Sequence, residues 1–583
     1  MSDAPAETKE LPKDIAARDG KVNVQINGVW HQFPRGTRMI EACKSVGVEV
    51  PHYCYHPKLS SPGNCRMCLV QMGMPPRLAP GQDPEYDEDG YQNIGWMPRP
   101  VIACANTVAE NMGIRTGGEL VEEVRNGVME FLLINHPLDC PICDQAGECR
   151  LQEFSVEHGR GESRFKESKV KKPKNVDIGP RIRLDDERCI MCSRCIRFMD
   201  EVADDPVLGF TDRGTHTTLT IHPERRLDHN YSLNTADLCP VGALTSNDFR
   251  FQMRVWFLKE TKTIDTSCGT GVNITVGARS NTIHRVTPRE NNEVNSSWMP
   301  DSHRMSFHAV ASEARLTHPL VKEEDKHVET SWQDAIATAA AGLKPFSGEE
   351  VAVIASARMT NEELFLVADL CGALDTVVCD VVPRVGEPDN IMISADRNPN
   401  TEGTKQVLGL ESPGTTLATI REGLQSGKIK ALIVLGEDVL EDAGFTEDEL
   451  SAAKFIVASH THANATAQLA DVVLPGAHSL EKRGSMINVT GRIQRLNQAV
   501  QAPGQALEDW EILRDLTKAL GGKDNGLYLI EDVFKAMSTE LELLKDLSLG
   551  KIGDQGIQLY ETGVEIPILK REQDRVSRGE IVG

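Results

Sequence analysis

Residues 188–197 read Arg-Cys-Ile-Met-Cys-Ser-Arg-Cys-Ile-Arg, and residues 239–244 read Cys-Pro-Val-Gly-Ala-Leu. Two-residue gaps between Cys189, Cys192 and Cys195 place three thiolates on one compact loop, as on three corners of a cubane cluster. In bacterial ferredoxins the next Cys follows after three residues and precedes a Pro, but methionine stands there in this chain. The missing Cys-Pro pair appears instead at Cys239. Zinc sites favour paired cysteines, so this three-plus-one set favours iron–sulfur.

Three arginines surround this loop, namely Arg188, Arg194 and Arg197. They are either solvated surface charges or charges that stabilise an anionic cluster and tune its hydrogen bonds. The sequence gives both interpretations equal weight.

A second group of cysteines begins with a histidine. Residues 136–149 read His-Pro-Leu-Asp-Cys-Pro-Ile-Cys-Asp-Gln-Ala-Gly-Glu-Cys and follow a helical pattern over 118–135. Cys140, Cys143 and Cys149 supply three thiolates, and His136 is the nearest side chain able to supply a fourth ligand. A Cys₃His zinc site fits these residue types equally well, so spacing leaves zinc and iron–sulfur open here.

The earliest set of cysteines is Cys54, Cys65, Cys68 and Cys104. It follows a β-hairpin pattern at 21–30, with an Asn-Gly turn, and a short predicted helix over 37–46. Plant-type ferredoxins use a related spacing for a [2Fe–2S] cluster, with a shorter first gap. Four buried free thiols are a weaker alternative because these loops are polar, and structural zinc is the stronger competitor. Cys43, within the predicted helix, is predicted to be a core residue.

Composition narrows the class of protein. The 583 residues predict about four domains, and 63 basic against 86 acidic residues give a net charge of −23. That charge disfavours nucleic acid or anionic lipid as the main partner. Of the 15 cysteines, 12 precede residue 240, which fits metal ligation better than disulfides. Residues 1–20 are polar without a signal core, so we expect a disordered tail and a protein that stays in the cytoplasm.

The back half has an α/β pattern. Four short apolar runs predict strands, at 350–355, 431–436, 454–459 and 471–474. Residues 361–371 and 530–547 predict helices, the second followed by a polar tail.

Nothing in this half predicts a catalytic site, because it has neither a dinucleotide-binding Gly motif nor a P-loop. Cys371 and Cys379 lie in no motif typical of a molybdenum ligand. His460, His462 and His478 are predicted to lie in loops without ligand-like spacing. The expected role is a scaffold for docking.

Three blocks together resemble a known family: Asn-Cys-Arg-Met-Cys-Leu-Val at 64–70, His-Pro-Leu-Asp-Cys-Pro-Ile-Cys at 136–143, and Cys-Pro-Val-Gly-Ala-Leu at 239–244. The family is the large iron–sulfur subunit of NADH–quinone oxidoreductase, or respiratory complex I, which is called the 75 kDa subunit in mitochondria. The resemblance covers residues 21 to about 522, and residues 481–492 are similar to the molybdopterin oxidoreductase fold.

The resemblance implies iron bound through twelve residues. It implies [2Fe–2S] on Cys54, Cys65, Cys68 and Cys104, one [4Fe–4S] on His136, Cys140, Cys143 and Cys149, and a second [4Fe–4S] on Cys189, Cys192, Cys195 and Cys239. This removes the zinc alternative. The implied role is the relay of single electrons from a flavin/NADH-binding subunit toward quinone in a respiratory NADH:quinone oxidoreductase, which is a translocase. Molybdenum, FMN, NAD and catalytic residues are not expected in this chain.

The implied partners are the flavin/NADH-binding subunit and other hydrophilic-arm subunits of complex I. The chain would then lie at the cytoplasmic face of the bacterial inner membrane, associated with it only through the complex. Nucleic acid is not an expected partner.

The implied fold is α+β multidomain. An N-terminal [2Fe–2S] ferredoxin-like β-grasp precedes central 4Fe–4S modules and a C-terminal α/β molybdopterin-oxidoreductase-like domain. The predicted boundaries are a tail at 1–20, the [2Fe–2S] domain at 21–115, the His-Cys₃ module at 116–160, the split Cys₄ domain at 175–258, a vestigial 4Fe–4S subdomain at 259–320, the molybdopterin-oxidoreductase-like domain at 321–522, and a helix with tail at 523–583.

Two departures from the family pattern stand out. Residues 73–99 resemble an insertion rich in Pro, Gly and acidic residues, which predicts a surface loop facing a partner. Some bacterial members carry a further four-cysteine cluster just after the split set. Only Cys268 lies in that region here, and Pro300 stands where a ligand would be expected, so we expect no fourth cluster.

Three rival functions remain. An NAD-linked formate dehydrogenase would need a molybdenum ligand and usually the extra cluster, and both are missing from the sequence. The diaphorase-side subunit of a soluble hydrogenase has a similar front half, but the long back half disfavours it. A zinc-stapled scaffold without redox function would be colourless, so visible absorption separates it from an iron–sulfur protein.

Overall fold

The computed structural model describes residues 20–324, 326–522 and 526–582, so the predicted tail at 1–20 lies outside the described residues except for Gly20. The chain forms two compact units. One extends to Trp256 and includes the segment from Glu572 onward, and the other is Phe257–Arg571. In the described residues, no helix combines the length and the hydropathy that crossing a bilayer requires.

The first unit begins with a six-stranded mixed sheet. Its strands are Lys21–Ile26, Val29–Pro34, Leu69–Met74, Gly95–Trp96, Val101–Ile102 and Met112–Arg115. The predicted hairpin is present, with Ile26 paired to Val29 across the Asn-Gly turn. Helix Met39–Ser45 packs its apolar side on this sheet, and Cys43 is fully buried there, as predicted.

The predicted loop at 73–99 is partly built into this sheet. Gly73 pairs with Trp96, and Trp30 stacks on Tyr91 with ring centroids 3.9 Å apart. The indole N–H of Trp30 also donates to Asp87 over 3.0 Å. These contacts fix the segment to the hairpin, so it is an ordered extension of the sheet edge.

Short elements hold the remaining cysteines of the first unit. The helices are Glu119–Leu133, Arg150–His158, Arg194–Glu201 and Asn234–Leu238, with 3₁₀ turns at Cys140–Ile142, Asp186–Arg188 and Gly214–His216. A three-stranded sheet joins Val176–Asp177, Ile182–Leu184 and Leu244–Ser246, and a hairpin pairs Leu208–Thr211 with Thr218–Ile221. The elements are short and joined by loops. The cysteines of this part of the chain lie mainly at helix ends and in turns.

The second unit contains a seven-stranded sheet. In spatial order its strands are Lys326–Glu329, Leu320–Glu323, Val472–Pro475, Phe455–His460, Ala431–Leu435, Val351–Ala355 and Cys379–Val381. The last five are parallel, and alternate residues of these strands enter two separate cores. Both faces are therefore covered, as parallel sheets require.

Helices cover each face of this sheet. One core contains residues of Trp332–Leu343, Asn361–Ala373, Asp509–Ala519 and Ile530–Glu540, and the other contains residues of Leu417–Gln425, Val439–Asp442, Glu447–Ser451 and Ala465–Leu469. The predicted helix at 530–547 ends at Glu540, because Leu541 has an extended backbone. A 3₁₀ turn, Glu542–Leu544, follows it.

Two smaller sheets and several short helices complete the second unit. One antiparallel sheet joins Lys259–Ile264, Asn273–Arg279 and Thr282–Pro288, and another joins Gly484–Ile487, Arg492–Leu496 and Ile557–Gln558. The other helices are Asp301–Arg304, Thr401–Gln406, Leu549–Ile552 and Pro567–Ser577, the last continuing into the first unit.

Candidate iron–sulfur sites

The four cysteines of the earliest set meet in the first unit. Cys54 lies within hydrogen-bonding distance of both Cys65 and Cys104, and Cys68 within that distance of Cys104. All four are buried. The tight turn before Cys65 is possible because Gly63 has a left-handed φ of 62°.

The electrostatics of this set suit a metal-thiolate centre. A hydrogen bond with Cys54, together with burial, raises the pKa of Cys65. A hydrogen bond from Cys104 lowers the pKa of Cys68 instead. Buried thiols with raised pKa values ionise when a cation compensates their charge. These residues therefore fit a [2Fe–2S] cluster, whose four ligands are thiolates.

The split set also converges, although its members come from distant segments. Cys189, Cys192, Cys195 and Cys239 all line one small cavity with apolar walls. Met191 and Ser193 adopt left-handed φ values of 55° and 59°, which turn the loop around this cavity. The fold thus brings Cys239 next to the loop of Cys189, Cys192 and Cys195, although more than forty residues separate them in the sequence.

Backbone amides point at the sulfurs of this set. Three N–H groups, from Val241, Ala243 and Leu244, donate to Cys239. The N–H of Met191 donates to Cys189. Burial nevertheless raises the pKa of Cys239 to about 12. Amides donating to sulfur stabilise anionic clusters, so the set fits a [4Fe–4S] centre.

The histidine-containing set lies between helices Glu119–Leu133 and Arg150–His158. The Nδ1 atom of His136 is buried, and no described group hydrogen-bonds to it. Burial lowers the pKa of His136 to about 4, which leaves the imidazole neutral and able to donate a lone pair to a metal. An unpartnered, neutral ring nitrogen is what a histidine ligand requires.

The three cysteines of this set lie within electrostatic range of one another. Burial raises the pKa of Cys149 to about 11, and the nearby Cys140 and Cys143 thiols raise it electrostatically as well. Asp139 and Arg188 act on both His136 and Cys143, which places that histidine at the same site. The four residues therefore share one neighbourhood, and the unpartnered Nδ1 of His136 is free to bind a metal there.

The histidine-containing and split sets are neighbours. Arg188, directly before Cys189, donates to Asp139 over 2.8 Å and acts electrostatically on Cys143. A Cβ added to Gly242 would lie 2.3 Å from the sulfur of Cys143. Only glycine therefore lets the loop after Cys239 pass this close to Cys143.

The first and split sets are neighbours as well. Arg197 donates to the backbone carbonyls of Cys54 and Cys192, one from each set. Arg194 donates to the carbonyls of Tyr55 and Leu238. The split set thus has arginines on both sides, facing the other two sets.

The structure decides what the three arginines do. Arg188 and Arg197 are buried, and Arg194 is partly exposed. Burial lowers the pKa of Arg194, and the Cys192 thiol opposes that shift. The interpretation as solvated surface charge is wrong for Arg188 and Arg197, which are buried, and all three guanidinium groups donate to carbonyls or carboxylates.

No sequence pattern predicted that the C-terminal segment returns to the loop that follows Cys54. Arg575 hydrogen-bonds to Glu201 and to the carbonyl of Lys58. The N–H of Val582 donates to the carbonyl of Pro57 over 3.0 Å. This segment thereby covers the loop that follows Cys54.

His460, His462 and His478 line one cavity of about 430 Å³ in the second unit. His460 ends strand Phe455–His460 and so is not a loop residue, contrary to the prediction. Burial lowers the pKa values of His460 and His478. Lys482 also lines this cavity and is bonded to Glu363 over 2.8 Å. Cys268 is fully buried elsewhere in this unit.

Five family models match successive parts of the chain. Residues 19–118 match a 2Fe–2S iron–sulfur cluster binding domain, 125–164 the NADH-ubiquinone oxidoreductase-G iron–sulfur binding region, 179–245 the ferredoxin-like domain of NADH-quinone oxidoreductase subunit 3, 258–308 the NDSU1/NuoG-like 4Fe–4S domain of NADH-ubiquinone oxidoreductase, and 378–519 molybdopterin oxidoreductase. The chain thus has a 2Fe–2S domain first, 4Fe–4S domains in the middle and a molybdopterin-oxidoreductase domain toward its C-terminus, as predicted.

Relatives align along most of the chain. The mitochondrial 78 kDa subunit of NADH-ubiquinone oxidoreductase from Neurospora crassa is 33% identical, covering 87% of this chain and 82% of that protein. The 75 kDa subunit of the same enzyme from Reclinomonas americana is 30% identical, covering 86% and 89%. A solved NAD⁺-reducing [NiFe]-hydrogenase aligns over 40% of this chain with a TM-score of only 0.33. These matches over most of the chain show that it belongs to the 75–78 kDa iron–sulfur subunit family of NADH-quinone oxidoreductase, respiratory complex I.

Proposed function

We propose that this chain passes single electrons through three clusters held by the twelve residues described above. The [2Fe–2S] ligands are Cys54, Cys65, Cys68 and Cys104, the first [4Fe–4S] ligands are His136, Cys140, Cys143 and Cys149, and the second are Cys189, Cys192, Cys195 and Cys239. When bound, such clusters accept and donate one electron at a time. The convergence of the Cys189, Cys192 and Cys195 loop with the distant Cys239 on one apolar cavity carries the proposal.

The protein contributes position and charge. Arg197 ties the first set to the split set, and Arg188 ties the split set to the histidine-containing one. We infer that the split set is the middle site of the three. Buried guanidinium groups favour added negative charge nearby, so they stabilise the reduced state of the centre between them.

We further propose that flavin and NADH bind to another subunit of complex I. A hydride delivers two electrons together, and a separate flavin is the usual group that divides them. The partners of this chain would be that flavin subunit and other subunits of the hydrophilic arm. The chain would lie at the cytoplasmic face of a bacterial inner membrane, held there by the complex, with quinone reduced further along the route.

The first prediction tests the relay. The purified chain alone should not oxidise NADH, whereas adding the flavin/NADH-binding subunit should let NADH bleach its visible absorption within the mixing time of a stopped-flow experiment. Adding that subunit after its flavin has been extracted is the matched control and should give no bleaching. Rapid NADH oxidation by the isolated chain would contradict the proposed division of labour.

The second prediction concerns metal content. One [2Fe–2S] and two [4Fe–4S] clusters require about ten iron atoms per chain, with no stoichiometric zinc or molybdenum. Elemental analysis of protein purified without oxygen measures all three metals together. A value near fourteen iron atoms would indicate a further cluster, and stoichiometric molybdenum would favour the formate dehydrogenase alternative.

A further inference from the structure

Two cysteines outside the proposed clusters lie against each other in the second unit. Cys371 is in the last turn of helix Asn361–Ala373, and Cys379 begins strand Cys379–Val381. Their thiols lie within hydrogen-bonding distance. Both pack against one hydrophobic core, and both are partly exposed.

The local chain geometry explains this contact. The helix ends, Asp375 takes a left-handed φ of 52°, and the N–H of Thr376 donates to the carbonyl of Cys371 over 3.0 Å. The chain then enters the edge strand of the sheet. Cys379 and Val381 point to the same face, because alternate strand residues share a face, and the helix covers that face.

Both thiols are partly exposed, so a small reagent can reach the pair. A Cβ added to Gly372, beside the first thiol, would meet no atom within 4 Å. Val377, two residues before the second thiol, is 89% exposed. The buried Cys268 has neither a second cysteine in contact nor exposure among the described residues.

We propose that Cys371 and Cys379 form a dithiol modification site, which a small-molecule disulfide such as glutathione disulfide converts into an intramolecular disulfide. The thiolate of Cys371 attacks one sulfur of the small disulfide, forming a mixed disulfide and releasing one small thiol. The thiolate of Cys379 then attacks the sulfur of Cys371 and releases the second small thiol. Two electrons pass from the protein thiols to the reagent, and both thiol protons end on the two released thiols.

The order of attack follows from the hydrogen bond between the thiols. The bond from Cys379 lowers the pKa of Cys371, whereas the same contact raises the pKa of Cys379. The thiolate is the nucleophile in thiol–disulfide exchange, so Cys371 attacks first. This chemistry is independent of the proposed clusters.

The test uses the complete chain with its clusters, incubated without oxygen with glutathione disulfide and then alkylated. Trypsin releases both cysteines in one peptide, residues 359–384. The peptide from treated protein should be lighter than the reduced peptide by two hydrogen atoms and carry no alkyl group. Reducing the protein before alkylation should instead give a peptide with two alkyl groups. Brief alkylation of untreated protein should label Cys371 faster than Cys379, because the pKa of Cys371 is lowered and that of Cys379 is raised.

The matched variant is Cys379→Ser. It should retain glutathione on Cys371 because the second attack is lost, while Cys268 stays unmodified in both proteins. If Cys371 and Cys379 are both alkylated in the treated unsubstituted chain, the proposal is overturned. Lasting glutathione on its Cys371 would overturn it too, because Cys379 would then be unable to approach to the disulfide bond length of about 2.05 Å.

Discussion

Replacing Cys192 with alanine is expected to stop quinone reduction by the assembled complex, while reduction of its flavin by NADH continues. Cys192 lines the cavity of the split set, which we propose to be the middle site. Loss of a ligand should reduce the rate at least about 100-fold, the upper end of what loss of an outer-shell partner produces. Steady-state quinone reduction and stopped-flow flavin reduction measure the two steps separately.

Cys43→Ala is the matched control. It also removes a buried thiol from the same unit, but one that packs in the core of the sheet. We expect it to leave quinone reduction within about twofold, since its effect is a small cavity. Undiminished quinone reduction by the Cys192 variant would mean that the split set lies off the main route.

Replacing Gly242 with alanine is expected to remove selectively the cluster that we propose on His136, Cys140, Cys143 and Cys149. The added Cβ would meet the sulfur of Cys143 at 2.3 Å and the Cβ of Gln145 at 3.2 Å. A sulfur fixed to iron cannot retreat, so either the cluster or the loop after Cys239 must give way. Overpacking of this kind costs about 1–3 kcal/mol, and we expect iron to fall by about four atoms per chain.

Electron paramagnetic resonance of the reduced protein identifies which cluster is lost. One [4Fe–4S] signal should disappear while the [2Fe–2S] signal remains. Gly127→Ala is the control, because this glycine lies inside helix Glu119–Leu133 with open space around it. That substitution should stabilise the chain by about 0.4–1 kcal/mol and leave all signals unchanged. Three intact signals in the Gly242 variant would refute the predicted close approach.

Local sequence patterns predicted the elements that depend on local periodicity. The apolar strands at 350–355 and 431–436 appear within a residue of their predicted ends, because continuous apolar runs reflect burial directly. The hairpin predicted at 21–30 is present with its predicted turn, but its second strand continues to Pro34. The end of the helix at 530–547 was wrong by several residues. Leucines continue beyond Glu540, so the apolar pattern does not mark where the backbone changes.

Local sequence patterns could not predict contacts between residues that lie far apart in the sequence. The sequence around an arginine next to a cysteine does not indicate whether its side chain faces solvent or bridges two sites. The contact of Arg197 with Cys54 depends on the fold. The contact between Cys371 and Cys379 depends on a helix returning onto a strand. A spacing of eight residues across a helix–turn–strand junction was the available signal for that pair.

The return of the C-terminal segment to the first site has a consequence for biosynthesis. Ribosomes make residues 57–60 long before Arg575 and Val582, which later bond to that loop. At about 5–20 residues per second, roughly half a minute to two minutes separate the two events. During that interval the loop after Cys54 lacks its contacts with Arg575 and Val582, so it is open to solvent while the second unit is being made.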